Sequence, residues 1–130
     1  MTLADVKEWL KTFDVAEHYY CGRLDNKHEH SLGVYSRQAV TGPVMAIGGL
    51  ENSSYDIRGI SLLLHWNRNS AETETAARTL WDHLREISGV DTGHGYIQYL
   101  RLTVPEPIAV GTDENGVFEY VINFDLYYRR

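Results

Sequence analysis

Two histidines, His28 and His30, are separated by one residue. This is the spacing in the chain that comes closest to that of a metal site. Alternate residues of a strand point to the same side, so such a pair can face one metal ion. His18 and Cys21 lie nearby in the sequence. A zinc site, however, needs further placed ligands. Because the two histidines lie in a polar stretch beside Lys27, the spacing favours a solvated loop, and we predict no metal site and no cofactor.

The other residue types that carry out catalysis stand in patterns that favour structural roles. Cys21 lies in an aromatic stretch without the surroundings of a known nucleophile, and we expect it to be a small core residue. Asp113 and Glu114 are adjacent carboxylates beside an Asn-Gly pair, where acidic side chains usually stabilise a turn. Gly48-Gly49 is not followed by the Lys-Ser/Thr of a phosphate-binding loop. We therefore expect that the protein is not an enzyme.

Length and composition predict one acidic domain. The chain has 130 residues, which predicts a single domain over 1–130, and 43% of them are hydrophobic, enough for a core. The net charge of −6 argues against nucleic-acid recognition, which depends on Lys and Arg to neutralise phosphates. A single cysteine and the lack of an apolar leader predict synthesis in a reducing cytoplasm. We expect no membrane span, because no stretch is long and apolar enough.

The strongest structural pattern runs over residues 117–128, where apolar and polar residues alternate. The odd positions Glu119, Asn123 and Asp125 are polar. A period of two over this length predicts a long β-strand with one buried face. Asn115-Gly116 lies just upstream and favours a type I′ turn, so we predict a C-terminal β-hairpin. Its buried side chains would be Phe118, Tyr120, Ile122, Phe124, Leu126 and Tyr128.

Two helices and several shorter strands complete the prediction. One helix covers residues 3–13, and Thr2 together with Asp5 can cap its start. The other begins after Asn69, with Glu72 placed to complete a capping box. Further strands are predicted at 18–24, 32–35, 44–47, 55–66, 95–104 and 108–110, with a turn at 51–54. We predict an α+β fold, with a mixed or antiparallel β-sheet packed on one face by two α-helices and with the C-terminal hairpin.

Nine tyrosines in an acidic domain without catalytic motifs indicate a protein that binds copies of itself or other proteins. Tyr127 and Tyr128 are adjacent on the last strand and point to opposite faces, so one of them lies at a contact or on the surface. The polar stretch at 25–30 has no predicted core role and is a second candidate contact. The candidate interface residues are Asp25, Asn26, Lys27, His28, Glu29, His30 and Tyr127.

The C-terminal third of the chain resembles the minor capsid and tail terminator family of long-tailed bacteriophages. From Pro107 to Phe124, a proline, an apolar stretch, a glycine, an acidic Asn-Gly turn and an aromatic strand with Asn-Phe follow in the order found in that family. The strand and helix from Ile60 to Leu84 are also similar, with a central apolar strand and Ala-rich first helical turns. The first helix matches the opening of the family.

The resemblance implies a small α+β virion subunit that assembles with copies of itself into a ring, commonly a hexamer, at the head-proximal end of the tail tube. Such a ring stops tube growth and joins the head connector. The implied partners are the tail tube protein and a head completion or connector protein, and catalysis is not implied. Two alternatives remain open: a phage-encoded regulatory protein that binds a host factor, and a small module with a ligand pocket between sheet and helices.

Overall fold

The chain forms a mixed β-sheet with two helices, in the α+β class that the sequence predicts. The computed structural model describes residues 1–25, 27–39 and 55–129. Within these ranges the elements are α1 (Leu3–Lys11), β1 (His18–Cys21), β2 (Ser31–Arg37), β3 (Tyr55–His65), α2 (Ser70–Arg85), β4 (Ser88–Asp91), β5 (Tyr96–Leu102), β6 (Ile108–Thr112) and β7 (Phe118–Arg129). Neither helix in this part of the chain is long and apolar enough to cross a bilayer. The strand predicted at 44–47 and the turn predicted at 51–54 lie outside the described residues.

Strand β7 is the centre of the sheet. On one side it pairs antiparallel with β3 over the length of both strands, from Tyr55 opposite Arg129 to His65 opposite Glu119. On the other side it pairs with β5 near its C-terminal end and with β6 near its N-terminal end. β2 continues the sheet beyond β3, β1 runs parallel to β2, and β4 pairs with β5. The sheet is mixed because the β1–β2 pairing is parallel and the others are antiparallel.

The alternation predicted for the last strand is confirmed in its middle, where Ile122, Phe124 and Leu126 are buried. These side chains belong to one buried cluster with residues of both helices and of β2, β3 and β5. Ile60 lies directly opposite Phe124 and points to the same side, which we call the core face of the sheet. The three other predicted positions, which lie toward the ends of β7, are only half-buried: Phe118, Tyr120 and Tyr128.

Asp125, on the face opposite the core face, is fully buried although the pattern predicts a polar surface position. Arg37 Nη2 donates a hydrogen bond to Asp125 Oδ1 at 2.8 Å, and Arg37 Nε donates to the Ile60 carbonyl oxygen. The chain that leaves β2 crosses this face against Gly59, where a Cβ would lie 2.4 Å from the Arg37 carbonyl oxygen. The buried carboxylate is tolerated because it is paired and hydrogen-bonded.

The starts of the two helices are capped in different ways. At α1, Thr2 Oγ1 accepts a hydrogen bond from the Asp5 N–H and the Asp5 carboxylate accepts one from the Thr2 N–H, as predicted. At α2, Asn69 Oδ1 accepts from the Glu72 N–H, which confirms the cap. The capping box predicted there is wrong, because the side chain of Asn67 binds both groups that the box would join. Its Nδ2 donates to the Glu72 carboxylate and its Oδ1 accepts from the Asn69 N–H.

The C-terminal hairpin is present, with β6 antiparallel to the start of β7, but its turn is not type I′. A type I′ turn needs positive φ at both central residues, and only Gly116 (φ 81°) has it, while Asn115 does not. The Gly116 N–H donates to the Asp113 carbonyl oxygen at 3.1 Å, so the turn runs from Asp113 to Gly116. Gly116, its last residue, has the left-handed conformation. The Asp113 carboxylate also accepts from the N–H groups of Asn115 and Val117, which explains the longer turn.

Candidate functional site

A polar pocket of about 390 Å³ lies between the β1–β2 loop, the end of β3 and the turn of the C-terminal hairpin. Three residues of the predicted loop contribute to it, together with His65 at the end of β3, Arg68 in the connection from β3 to α2, and residues of the hairpin turn. The lining residues are Lys27, His28, Glu29, His65, Arg68, Asn115 and Val117. Strand pairing brings them together, since β2 and β7 both flank β3.

His65, the last residue of β3, is the buried polar group of this pocket. Its side chain is 1% exposed, and its Nδ1 lies 2.9 Å from Oε2 of Glu119, which the β3–β7 register places directly opposite. Its Nε2 lies 3.8 Å from Asp113 Oδ2, which is too long for a hydrogen bond. Neither of these two atoms has a hydrogen-bond partner among the described residues. An imidazole thus lies between two carboxylates from opposite ends of the hairpin turn.

Asp113 holds a negative charge at this pocket over most of the pH range. Burial raises the pKa of its carboxyl, but hydrogen bonds from the N–H groups of Val117 and Asn115, together with electrostatic interactions with His65 and Arg68, outweigh the burial. The net effect is a pKa below the ordinary value of 3.8. The carboxylate therefore stabilises the turn and places a negative charge beside His65.

The side chains that line this pocket can take part in acid–base chemistry and ion pairing. An imidazole oriented by a carboxylate, as His65 is by Glu119, is the arrangement of a general base. Among the described residues that line the pocket, none is a Ser, Thr or Cys that such a base could activate. In the part of the chain that the structure describes, no three His, Cys, Asp or Glu side chains are grouped to hold a metal ion. The cluster's evident effect is to tie the hairpin turn to β3.

A larger groove, of about 680 Å³, lies between one face of α2 and the connections that lead into β1 and β2. The imidazole of His30 stacks on Trp66 with ring centroids 4.3 Å apart, and that of His83 stacks on Phe13 at 5.3 Å. All four rings line the groove. The α2 side is formed by small residues such as Thr75, whose hydroxyl donates to a carbonyl within the helix. The groove is therefore less polar than its residue types suggest.

The backbone is strained at two residues of this groove. Asp14 (φ 54°) and His30 (φ 55°) are the non-glycine residues with positive φ in the described ranges, and both line the groove. The conformation of His30 is fixed on both sides, because its N–H donates to the Trp66 carbonyl oxygen and its own carbonyl accepts from the N–H groups of Glu17 and His18. Such strain costs on the order of 1–3 kcal/mol and clusters at functional sites. The groove is therefore a second candidate site.

Three large apolar side chains are exposed along one side of the sheet: Tyr99 (51%), Ile108 (37%) and Val110 (50%). They lie on β5 and β6, the two strands that flank the same side of β7, and we call them the β5–β6 edge. Every residue of β6 is exposed, and among the described strands β6 pairs with β7 alone. The sequence carries a signal that we did not use, since Ile108-Ala109-Val110 is an apolar run that a strand must present on both faces.

The predicted loop at 25–30 is divided between the two cavities. Asp25 Oδ1 accepts from the Lys27 N–H within the loop, Lys27–Glu29 line the polar pocket, and His30 lines the groove. His28 stacks on His18 rather than meeting His30. Asn26 lies outside the described residues. Cys21 is exposed at the end of β1, so its predicted core position is wrong, because β1 pairs on one side only among the described strands.

Tyr127 does not share a surface with that loop. It lies toward the C-terminal end of β7, whereas the loop lies beside Glu119 at the other end, about 26 Å away along the strand. Tyr127 is half-buried, with its ring 5.9 Å from that of Tyr55 and 5.7 Å from that of Tyr99. The interface residues predicted from sequence therefore belong to two separate regions, and Tyr127 adjoins the β5–β6 edge.

No family model matches the chain, and no curated protein matches it. The resemblance of residues 107–124 to the tail terminator family therefore stays a prediction.

Proposed function

We propose that this protein is a structural subunit that assembles with copies of itself into a ring, as tail terminators and minor capsid proteins of long-tailed phages do. The ring ends the growth of the tail tube and offers a surface to the head connector. The proposed partners are further copies of the chain, the tail tube protein and a head completion or connector protein. The role requires no catalysis and no cofactor, and it places the protein in the virion.

The observation that carries this proposal is the β5–β6 edge. Ile108 and Val110 expose large apolar side chains on β6, and Tyr99 is exposed on β5, about 20 Å further along the same side of β7. Apolar side chains on an exposed strand are available for contact with another protein, and tyrosine is enriched at interfaces. Among the described strands β6 pairs with β7 alone, so its outer side offers backbone groups to a neighbouring chain. Both features support a protein that functions by binding other subunits.

A ring requires that this edge bind a different surface on the next copy. Contact of the edge with its own counterpart has two-fold symmetry and ends at a dimer. A head-to-tail contact closes into a ring when the rotation between copies permits it. Six copies of the 14.9 kDa chain make a particle of about 89 kDa.

The first test measures assembly in solution. Val110→Lys places a charge on the exposed edge strand, which is a common way in which proteins prevent edge pairing. The exposed side chain has no role in the core, so the fold should be retained. We expect sedimentation velocity to show closed oligomers of the wild type at high concentration or on tail tubes, and monomers of the variant. Ala4→Lys adds the same charge at an exposed position of α1 and is the matched control.

The second test measures tail length in infected cells that lack this protein. Overlong tails, or tails without heads, support the terminator role. Normal tails joined to heads contradict it and favour the alternative of a regulatory protein that binds a host factor.

A further inference from the structure

We infer that the groove beside α2 receives the β5 side of the next copy's sheet, through a patch of tyrosine and arginine side chains on β5 and the C-terminal end of β7. This tyrosine–arginine patch consists of Tyr96, Tyr99, Arg101 and Arg129. The inference rests on the proposed function, because it names the two surfaces that meet in the ring.

The groove has the chemistry of a receptor for an aromatic and cationic group. Phe13 and Trp66 form aromatic walls, each with a histidine ring, His83 or His30, stacked on it, and the Thr75 hydroxyl is occupied within α2. The fully charged side chains in its lining are Asp14 and Glu72, and no Lys or Arg is present among the residues described there. An apolar cleft with two carboxylates attracts a group that combines a flat ring with a positive charge.

The tyrosine–arginine patch has the complementary chemistry. Tyr99 is 51% exposed, and the guanidinium of Arg129 lies over the ring of Tyr96, 4.3 Å from its centroid. Arg101 and Arg129 are exposed, and within the described residues neither forms an ion pair with a carboxylate. Two arginines beside tyrosine rings therefore offer a positive charge for the groove's carboxylates and flat rings for its aromatic side chains.

The positions of the two surfaces favour a head-to-tail contact. The groove lies beside Trp66, which follows the end of β3 opposite Glu119, whereas the patch includes Arg129 at the other end of β7. The two ends are about 33 Å apart along the strand. Arg101 points away from the core face, because it lies directly opposite Asp125, which is on the other face of the sheet. Arg129 points the same way, because it is four residues after Asp125 on β7 and alternate strand residues share a face. Two different surfaces at opposite ends of one subunit join successive copies head to tail rather than as a two-fold dimer, and such a contact closes into a ring when the rotation between copies permits it.

Cross-linking between engineered cysteines tests this contact. Cys21→Ser removes the chain's cysteine, Thr75→Cys marks the groove, and Ser88→Cys marks the patch, because Ser88 lies directly opposite Tyr99 and is exposed. We expect a short bis-maleimide to link the Thr75→Cys and Ser88→Cys proteins when they are mixed, and to link neither one to itself. A mixture of Ala4→Cys with Ser88→Cys is the control and should give no product.

Charge reversal supplies a second measurement. Arg101→Glu should weaken self-association by roughly tenfold or more, the scale of close charge pairs at interfaces. Glu72→Arg should weaken it similarly, and mixing the two variants should restore it. Thermal melts of each variant confirm that the fold is retained.

The outcomes separate this inference from the proposed function. A ring that Val110→Lys dissolves, without any Thr75–Ser88 link and without an effect of Arg101→Glu, overturns the inference and leaves the ring role standing. Linkage of Ser88→Cys to itself indicates a two-fold edge contact and also overturns the inference. A link from Thr75→Cys to the tail tube protein alone assigns the groove to that partner instead. A monomer at every concentration, together with normal tails in its absence, refutes both.

Discussion

Replacing Phe124 with Ala tests whether β7 is the centre of the core. Phe124 is 0% exposed, and Ile60 on β3 and Leu102 on β5 lie directly opposite it. Aromatic side chains bury about 150–250 Å², and at about 25 cal/mol per Å² this burial stabilises the fold by roughly 4–6 kcal/mol. Because Ala retains part of this area, we expect the free energy of unfolding to fall by about 3–5 kcal/mol.

The assay is a urea melt followed by circular dichroism. With a slope of about 1–3 kcal/mol per M, the loss lowers the midpoint by on the order of 2 M. Phe118→Ala is the matched control, since Phe118 lies on the same face of the same strand but is half-buried, and its loss should be about 1–2 kcal/mol. A loss below about 1 kcal/mol at Phe124 would show that the even side of β7 does not face the core, and would refute the register.

Three further predictions concern the opposite face, the hairpin turn and the loop. Gly59→Ala should lower the melting temperature and the stability by about 1–3 kcal/mol, because its Cβ would meet the Arg37 carbonyl oxygen at 2.4 Å; a neutral result contradicts that close approach. The pKa of Asp113 is lowered in the folded state, so this carboxylate stabilises the fold fully above pH 3.8, the pKa of the unfolded state. The stabilisation is lost as the pH falls through the lower pKa of the folded state. The stability difference between the wild type and Asp113→Asn should therefore be full at pH 7 and should shrink on acidification; a difference that is constant from pH 7 to 2 contradicts the linkage. A chelator should not change the melting temperature; if it lowers that temperature in the wild type and not in His28→Ala, the loop is a metal site.

Features that depend only on residues close together in the sequence were predicted correctly in several places. The period of two in residues 117–128 predicted the buried middle of β7, because successive strand residues point to opposite faces whatever the strand pairs with. Thr2 and Asn69 were predicted as helix caps, since a short polar side chain before an apolar helical stripe satisfies free N–H groups locally. The α+β class followed from the order of these elements.

Local prediction failed where two nearby groups competed for one partner. The carboxylate of Glu72 binds Asn67 instead of closing the capping box, and the Asp113 carboxylate draws the Asn115 N–H into a longer turn. In both cases the residues named by the prediction are present and correctly placed. The choice between partners depends on the three-dimensional positions of the competing groups, which a sequence pattern does not contain.

The candidate sites were decided by tertiary structure. His65 meets Glu119 because of the register between β3 and β7, and Asp125 is buried because it pairs with Arg37, which is 88 positions away in the chain. The groove is lined by Phe13, Trp66 and His83, which come from three separate segments of the chain. Hydrophobic periodicity tells which face of each element is buried, but it carries no information on which strands become neighbours. The sequence by itself therefore determined both helices and most of the described strands, but it missed β4 (Ser88–Asp91) and the burial of Asp125. The polar pocket, the groove and the exposed edge exist only once the strand order is set, because each is built from segments that meet through long-range pairing.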